Sequence, residues 1–312
     1  MNSAFVLAAG FGSRLRPLTN HRPKPLLPIC GITLLDHARA HLGAHGIDHI
    51  LVNAHHLWQQ IAAWTEDNRA GLQVELPDIL GTGGGLRAAL PRLAETVVVF
   101  NGDILCDVDL TALRAACPQD GAAMALRAIP ELGGINPVVT DASGVVERIG
   151  TIAAAPGAAP AVMSGPGTHF TGIHAMSRAA IEAVPVDGFS CVVRTAYRDL
   201  VPQGRIRAIV HTGDWVDAGT PERYLNANLA ALTGRLHLPI DPWQHGTAGS
   251  GGSWVGADAK VLGSIEGSII GAGATVPADA QLTHCVVWDG AVVPSGAHRR
   301  AIVYADGQVL SA

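Results

Sequence analysis

The residues best suited to bind an anionic ligand lie near the N-terminus, in the string LAAGFGSRLRPLT (residues 7–19) and the PKPL that follows at 23–26. A glycine-rich turn after a strand lets backbone N–H groups approach phosphate oxygens without Cβ clashes. Arg14 follows the second glycine closely, where its forked guanidinium can bind phosphates through two hydrogen bonds. Lys24 lies between two prolines, on a stiffened loop suited to holding a phosphoryl oxygen during transfer. The residue types and spacing therefore predict a triphosphate site.

Two common phosphate-binding loops do not match this string. A dinucleotide-binding GxGxxG turn requires a third glycine, and Leu15 occupies that position. A P-loop requires Gly-Lys-Ser/Thr, which is absent from the string. The residues alone leave one alternative open, a purely structural glycine turn with a surface Arg and Lys.

A carboxylate suited to metal binding follows the clearest predicted strand, TVVVF at 96–100. Asp103 comes three residues after this strand, and a carboxylate beside a triphosphate needs a cation between them. Mg²⁺ bound by one or two carboxylates plus phosphates is the usual arrangement. Asp107 and Asp109 are interpreted as a helix-capping pair. The fourteen His have no zinc-site spacing and are interpreted as structural.

The elements that must position these residues alternate between strand and helix. Strands are predicted at 3–9, 49–53, 72–76 and 96–100, and helices at 34–45, 56–68 and 84–93, the first of them capped by Thr33 and ended by Gly46. This alternation predicts an α/β fold with a parallel sheet covered by helices. Ligands bind such sheets at the carboxyl ends of the strands, where residues 10, 77 and 101 begin the loops.

The sequence pattern changes beyond about residue 231. GTAGSGGS at 246–253 is typical of a flexible linker, and aliphatic residues then recur six apart. This hexapeptide period predicts a short left-handed parallel β-helix, and a Gly/Ala-rich tail with chance spacing is the alternative. The expected division is a first domain at 1–231, a linker at 232–253 and a β-helix at 254–312. The edge of such a β-helix also offers a surface for a homo-oligomer.

Composition excludes several classes of protein. Hydrophobic residues make up 48% of the 312 and charged residues 15%, so a disordered chain is excluded. A net charge of −5, with 21 scattered Lys and Arg, argues against nucleic-acid binding. Five Cys without a CxxC pair indicate reduced thiols rather than a disulfide framework. With no targeting or membrane-spanning segment recognised, the expectation is a cytoplasmic protein without membrane partners.

The N-terminal string with its PKP resembles the sugar-1-phosphate nucleotidyltransferase family. Within the family it is most similar to short bacterial mannose-1-phosphate guanylyltransferases and N-acetylmuramic acid 1-phosphate uridylyltransferases. The resemblance covers nearly all of residues 1–230, and the hexapeptide tail is similar to an appendage of many members. It implies a Rossmann-like nucleotidyltransferase fold and a Mg²⁺-dependent enzyme. Such an enzyme joins a nucleoside triphosphate to a sugar 1-phosphate and releases pyrophosphate.

The resemblance also implies roles for individual residues. Arg14, Lys24 and Asp103 are the catalytic residues, the two cations binding phosphate and stabilising the transition state. The string DWVDAGT at 214–220 resembles the family element W-x-D-x-G-T, which makes Asp217 the second Mg²⁺ ligand beside Asp103. The residues assigned to nucleotide binding are Leu7, Ala8, Ala9, Gly10, Gly12, Ser13, Arg14, Gly81, Thr82 and Gly102.

The base and the sugar are less determined by the resemblance. GTGGG at 81–85 matches the segment that packs on the base. Uridylyl- and thymidylyltransferases commonly place a Gln about five residues before it, where this chain has Leu76, with Glu75 and Asp78 nearby. A carboxylate can accept hydrogen bonds from the donor edge of guanine, so GTP is the expected nucleotide. UTP, with N-acetylmuramic acid or glucose 1-phosphate, remains the alternative.

The sugar site departs from the family pattern. Many members carry a Glu-Lys-Pro string there, but Gly150 and Thr151 stand where its Glu and Lys would fall. FTGIH at 170–174 resembles the sugar-side strand and implies Thr171 and Gly172 as lining residues. Asn136 is the third sugar-phosphate candidate, in NPVV, where a sugar-contacting Gly is expected.

Two functions of other classes stay open. A catalytically silent relative would sense nucleotide sugars and regulate a partner, although such proteins tend to lose an Arg, Lys or Asp that this chain retains. An acyltransferase is suggested by the hexapeptide tail, which lacks an obvious catalytic His.

Overall fold

A computed structural model describes residues 2–129, 137–153, 167–186 and 188–312, which form two compact units. Unit 1 comprises residues 1–10, 41–102 and 108–213, and unit 2 comprises residues 11–40, 103–107 and 214–312. The chain passes from unit 1 to unit 2 within the glycine-rich string, directly after Gly10. This division differs from the linear one expected from the sequence, because 11–40 and 103–107 group with residues beyond 213.

The strands up to residue 217 are, in chain order, β1 (Ser3–Leu7), β2 (Pro28–Ile29), β3 (Ile32–Thr33), β4 (His49–Ala54), β5 (Gly71–Val74), β6 (Thr96–Asn101), β7 (Ile104–Cys106), β8 (Ala122–Ile129), β9 (Val138–Thr140), β10 (Val146–Ile149), β11 (Ile152–Ala153), β12 (Gly167–Ser177), β13 (Ile206–His211) and β14 (Trp215–Asp217). The later strands are β15 (Gly246–Gly249), β16 (Ser253–Gly256), β17 (Lys260–Val261), β18 (Ser264–Glu266), β19 (Ile269–Ile270), β20 (Thr275–Val276), β21 (Ala280–Thr283), β22 (Val286–Val287), β23 (Gly296–Arg299), β24 (Ala301–Tyr304) and β25 (Gln308–Ser311). The α-helices are α1 (Leu34–Ala44), α2 (Trp58–Asp67), α3 (Gly81–Ala89), α4 (Leu110–Ala115), α5 (Arg178–Glu182), α6 (Arg198–Leu200) and α7 (Pro221–Leu232).

Unit 1 is built on a sheet with the strand order β13-β8-β12-β6-β1-β4-β5. All neighbouring strands are parallel except that β12 runs antiparallel to both β8 and β6. The strands at its centre are apolar on both faces, with Phe5 and Val98 fully buried, as a sheet covered on both sides requires. The predicted α/β fold with a mostly parallel central sheet is therefore confirmed.

Most predicted elements form within two or three residues of their expected ends, but α3 does not begin where glycine content suggests. The helix starts at Gly81, so GTGGG is its first turn rather than a loop ahead of it. The expected helix at 84–93 also ends early, at Ala89. Asp109 caps α4 by accepting a hydrogen bond from the Ala112 N–H, which confirms its capping role.

Unit 2 is strand-rich beyond α7. Its short strands form three parallel ladders, in the orders β16-β19-β22-β24, β17-β20 and β18-β21-β23. Successive partners lie 15 or 17 residues apart where Trp254 pairs with Ile269 and Ile269 with Val286. Strands β15 and β25 flank the first ladder, each antiparallel to its neighbour.

The segment expected to be a flexible linker is partly a strand. Gly246–Gly249 forms β15 and pairs with β16. A Cβ at Gly246 would overlap the indole of Trp254, which is 1% exposed. Glycine is required here because a large ring packs against the backbone, and not because the chain must bend freely.

Two general features complete the fold. All five Cys are free thiols. Within the described ranges, no helix has the length and apolar character needed to cross a bilayer.

Candidate active site

The charged residues predicted to bind phosphate and metal come together in unit 2. Lys24 lies in a 3₁₀ turn over Lys24–Leu26 and is 7% exposed. Its Nζ donates a hydrogen bond to Asp217 Oδ1 at 3.1 Å and another to the Asp103 carboxylate. A buried ammonium group is stable only when paired, and these two carboxylates pair it.

Strand pairing explains why the two carboxylates meet. Asp217 ends β14, which runs antiparallel to β7, and it lies opposite Ile104 in the register. Asp103 directly precedes Ile104 in the chain. The backbone of this two-stranded ladder therefore holds both carboxylates near one Nζ, although they are more than a hundred residues apart in sequence.

Two further cations reach Asp217. The Arg14 guanidinium, on a side chain 65% exposed, lies 3.9 Å from Asp217 Oδ2. Arg223 Nη1, in the first turn of α7, donates to the same oxygen at 3.2 Å. With Lys24 and Asp103, the cluster has three cations and two carboxylates. Its formal charge of about +1 suits a polyanionic ligand.

Neither Arg223 nor Gly219 is among the site residues predicted from the sequence. A Cβ at Gly219 would lie 2.7 and 2.8 Å from the Asp217 oxygens and 3.0 Å from Arg14 Nη2. The glycine is therefore what allows the guanidinium and the carboxylate to approach. The string DWVDAGT contained a signal for Gly219, whereas nothing in the spacing distinguished Arg223 from any helix-surface arginine.

The donor set of this cluster fits a hard divalent cation. Asp103 and Asp217 present carboxylate oxygens to a common position, now contacted by Nζ of Lys24. Among the residues that the structure describes, no group of three or more His, Cys, Asp or Glu could hold a metal. A pair of carboxylates is what Mg²⁺ needs when phosphate and water supply its remaining ligands.

The turn that carries Arg14 has a fixed backbone. Gly12 has φ +60°, and a Cβ there would lie 2.7 Å from the Thr19 methyl group. Thr19 Oγ1 donates to the Gly12 carbonyl at 3.0 Å. Ser13 opens the following 3₁₀ turn and is exposed. Only glycine meets both the positive φ and the close packing at this position.

The first predicted nucleotide-binding residues of unit 1, Leu7, Ala8, Ala9 and Gly10, lie at the carboxyl end of β1. The Leu7 carbonyl accepts a hydrogen bond from the Gly102 N–H at 3.0 Å. The Ala8 N–H donates to Asn53 Oδ1 at 2.7 Å, Ala9 is buried and Gly10 is exposed. The ends of β1 and β6 are thus held together, and the turn opens to solvent at Gly10.

Glu75 does not have the role suggested for it as a reader of guanine. It is 2% exposed, and Oε1 accepts from Asn53 Nδ2 at 2.7 Å while Oε2 accepts from the Leu80 N–H at 2.8 Å. Both oxygens therefore join the end of β4 to the start of α3. Asp78, the other carboxylate near the glycine segment, is exposed.

The glycine segment of α3 is covered by residues 188–192. The Ser190 carbonyl accepts from the Gly83 N–H at 2.8 Å, and Thr82 Oγ1 accepts from the Val192 N–H at 3.0 Å. Gly81 has φ +74°, and a Cβ there would lie 2.6 Å from the Ser190 carbonyl oxygen. The run of glycines is thus explained by close backbone packing with a segment about 110 residues later.

The predicted sugar-side residues form a bulge in β12. The register between β12 and β8 shifts between Phe170 and His174. Gly172 has φ +85°, and a Cβ there would overlap the Asn101 amide. Thr171 is 1% exposed and its hydroxyl donates to the Ala125 carbonyl at 2.9 Å, so this hydroxyl is engaged within the fold. Asn136 lies outside the described residues.

His174, on β12, is structural. It is fully buried, burial lowers its pKa to about 3, and Nδ1 lies in hydrogen-bond contact with the Tyr197 hydroxyl. Burial also raises the pKa of Tyr197. Both groups are therefore neutral near pH 7.

An α/β sheet with a glycine-rich turn after its first strand, together with a Lys–Arg–carboxylate cluster, defines the class of nucleotidyltransferases. The chain belongs to the family of MobA-like NTP transferase domains, whose model matches residues 4–185. The resemblance inferred from the N-terminal string is thereby confirmed.

Two relatives of this chain are also nucleotidyltransferases. A mannose-1-phosphate guanylyltransferase of Mycobacterium tuberculosis is 29% identical over 94% of this chain and 81% of its own length. An N-acetylmuramate α-1-phosphate uridylyltransferase of Neisseria meningitidis is 32% identical over 73% of this chain and 97% of its own. HddC from Yersinia pseudotuberculosis shares the fold, with a TM-score of 0.59 at 23% identity, covering 73% of this chain and 98% of that one.

Proposed function

We propose that the protein transfers a nucleotidyl group from a nucleoside triphosphate to a sugar 1-phosphate and releases pyrophosphate. The observation that carries this proposal is the cluster of Lys24 with Asp103 and Asp217, extended by Arg14. The cations suit a triphosphate, and the carboxylates suit the ion that accompanies it. The names of the two relatives described above are those of a guanylyltransferase and a uridylyltransferase that use sugar 1-phosphates.

The reaction is an in-line displacement at the α-phosphorus. An oxygen of the sugar phosphate attacks, the bond to the pyrophosphate oxygen breaks, and pyrophosphate leaves with the electron pair. The attacking phosphate is already anionic near pH 7, so no general base is required. Negative charge grows at the α-phosphate, and Arg14 and Lys24 stabilise it more in the transition state than in the ground state.

Asp103 and Asp217 would hold Mg²⁺, which would supply positive charge to neutralise the phosphates. Lys24 Nζ then exchanges a carboxylate partner for a phosphoryl oxygen. Nucleotide contacts are assigned to backbone groups of residues 7–13 and to Gly81, Thr82 and Gly102. Sugar-side contacts are assigned to the backbone at Thr171 and Gly172, together with Asn136.

GTP with mannose 1-phosphate is the first substrate pair to test, because the Mycobacterium relative matches nearly the whole chain. UTP with N-acetylmuramic acid 1-phosphate is the second, because the Neisseria relative is slightly more identical over the first three quarters of the chain. With Glu75 engaged internally, Asp78 is the residue on which a guanine preference would rest.

The C-terminal strand-rich region, predicted at 254–312, is proposed to be a short left-handed β-helix, to which β15 of the predicted linker adds a strand. Three parallel ladders with partners 15 to 17 residues apart support a coil of three sides. A homo-oligomer through this region and a cytoplasmic location belong to the same proposal.

The deciding experiment measures pyrophosphate release with Mg²⁺ for four nucleoside triphosphates against mannose, glucose and N-acetylmuramic acid 1-phosphates. Release should require both substrates, select one pair, and be abolished in Asp103→Asn. Silence in every combination, with nucleotide sugars still binding tightly, would instead identify a sensing relative. Acetyl-CoA turnover would support an acyltransferase.

A further inference from the structure

The loop that carries Lys24 is attached to the C-terminal region of unit 2. Arg22 Nη1 and Nη2 donate to Asp289 Oδ1 at 3.2 Å and Oδ2 at 2.9 Å. The carbon of the same guanidinium lies 4.7 Å from the ring centre of Trp288. A bidentate pair combined with a cation–π contact fixes a side chain far better than a single surface ion pair does.

The loop that carries Lys24 comprises residues 22–31. Its far end contacts the same tryptophan indirectly, through Tyr224. Trp288 Nε1 donates to the Tyr224 hydroxyl at 3.1 Å, and that hydroxyl donates to the Pro28 carbonyl at 2.8 Å. The Cys30 N–H donates to Asn228 Oδ1 at 2.9 Å. Trp288 therefore supports the loop on both sides of Lys24.

The short span between Arg22 and Lys24 is stiff. Pro23 fixes one φ between them, and Pro25 follows Lys24 directly. A shift of Arg22 is therefore passed on to Lys24 rather than absorbed by the intervening backbone. Burial raises the pKa of Asp289, while the hydrogen bond and charge of Arg22 lower it. The net shift is downward, so the pair is ionised near pH 7.

We propose that Asp289 and Trp288, in the strand-rich C-terminal region, are positioning residues that hold Lys24 in its reactive place through Arg22. The inference rests on the proposed function for its kinetic part. It assigns the C-terminal region a role in the chemistry of the site, beyond a role as scaffold.

The composition of the chain permits a direct test of Lys24. The sequence contains two lysines, Lys24 and Lys260, and the second is exposed. Labelling with an N-hydroxysuccinimide acetate, read by mass spectrometry of the peptides, gives the ratio of Lys24 to Lys260 acetylation. The exposed lysine serves as an internal standard, and the readout does not depend on activity.

The variants are Asp289→Asn, Asp289→Glu and the control Arg300→Ala. Asp289→Asn removes the charge that holds Arg22. Asp289→Glu keeps a carboxylate. Arg300 also joins the strand-rich region to α7, by donating to Asn226 at 2.8 Å, but its bond lies outside residues 22–31. Thermal unfolding of each variant shows that it is folded.

We expect Asp289→Asn to raise the labelling ratio several-fold and to lower kcat on the order of 10- to 100-fold, as small misplacements of a reacting group do. KM for the sugar phosphate should stay unchanged, Asp289→Glu should recover most of the rate, and Arg300→Ala should match the wild type. Folded Asp289→Asn with an unchanged ratio, or with a raised ratio and unchanged kcat, would overturn the inference. If the wild type is inactive on every substrate pair, the proposed function fails, and the ratio alone decides whether Asp289 positions Lys24.

Discussion

The two units hold their own predicted site residues in contrasting ways. In unit 2, charged side chains face one another, with Lys24 paired to two carboxylates and Arg14 largely exposed. In unit 1, backbone turns are held by neutral packing and by the internally satisfied carboxylate of Glu75. Charge can be redistributed when a polyanion binds, whereas close-packed glycine turns cannot move without clashes. We therefore expect changes in unit 2 to affect rate and changes in unit 1 to affect stability and nucleotide affinity.

The largest effect is expected from Lys24→Ala in unit 2. Losing one preorganised cation should lower kcat by roughly 10²–10³, because its contact strengthens as charge grows in the transition state. Arg14→Ala should lose a similar factor. Pyrophosphate release under saturating substrate measures both. Lys260→Ala, the other lysine of the chain, is the matched control and should keep the wild-type rate.

The next largest effect is expected from Glu75→Ala in unit 1. The Asn53 amide and the Leu80 N–H each lose an acceptor, which costs about 1–3 kcal/mol for each buried donor left unsatisfied. Urea unfolding should show this loss, and KM for the nucleotide should rise while kcat changes little. Asp78→Ala removes an exposed carboxylate nearby and should leave stability unchanged. If Glu75→Ala lowered kcat as much as Lys24→Ala does, the expectation that unit 2 governs rate and unit 1 governs stability and nucleotide affinity would be wrong.

A smaller effect is expected from pH, and it involves one histidine in each unit. Burial lowers the pKa of His174 to about 3 and that of His37 to about 4, although Asp36 raises the latter in part. In the unfolded chain both titrate near pH 6.5. Keeping these two histidines neutral therefore contributes fully to the free energy of unfolding above about pH 6.5. This contribution is lost as the pH falls below that value. The loss should be about 1.4 kcal/mol per pH unit for each histidine.

Urea unfolding at pH 7, 6 and 5 measures this slope. His174→Gln retains polar atoms but does not titrate, so its slope should be shallower by the contribution of one histidine. A slope identical to that of the wild type would show that His174 is protonated in the folded protein or shielded in the unfolded one.

The smallest effect is expected from Gly81→Ala. A side chain at φ +74° costs roughly 1–2 kcal/mol, and the Ser190 carbonyl must also shift. Gly10→Ala is its control for stability, because nothing lies within 4 Å of a Cβ there. A difference in melting temperature between the two variants supports the view that unit 1 is fixed by packing. Equal melting temperatures would contradict it.

Local patterns in the sequence were sufficient for the central sheet but not for the glycines. Apolar runs such as TVVVF identify buried strands because both faces of the sheet are covered. The sequence predicts a helix that begins only at Gly84, within GTGGG, and a flexible linker at GTAGSGGS, since glycine is a poor helix former and a flexible residue. In the structure both are ordered. The reasons are non-local, because Ser190 packs on the first and Trp254 on the second.

The same distinction applies to the site. Arg14, Lys24, Asp103 and Asp217 are predicted from strings that resemble family motifs, and the structure brings their charged groups together. Arg223 and the engagement of Glu75 depend on which strands and helices become neighbours, and a single sequence does not contain that information.

The strands that flank the first ladder of the C-terminal region have a further consequence. β15 and β25 are antiparallel to their neighbours and occupy both outer edges, so the parallel ladder β16-β19-β22-β24 is itself covered at both ends. Exposed parallel edges invite end-to-end polymerisation, and natural proteins commonly cover them. The length of this stack is therefore set by the chain itself. A second molecule could extend this sheet only by pairing with β15 or β25, and not by continuing the parallel ladder itself.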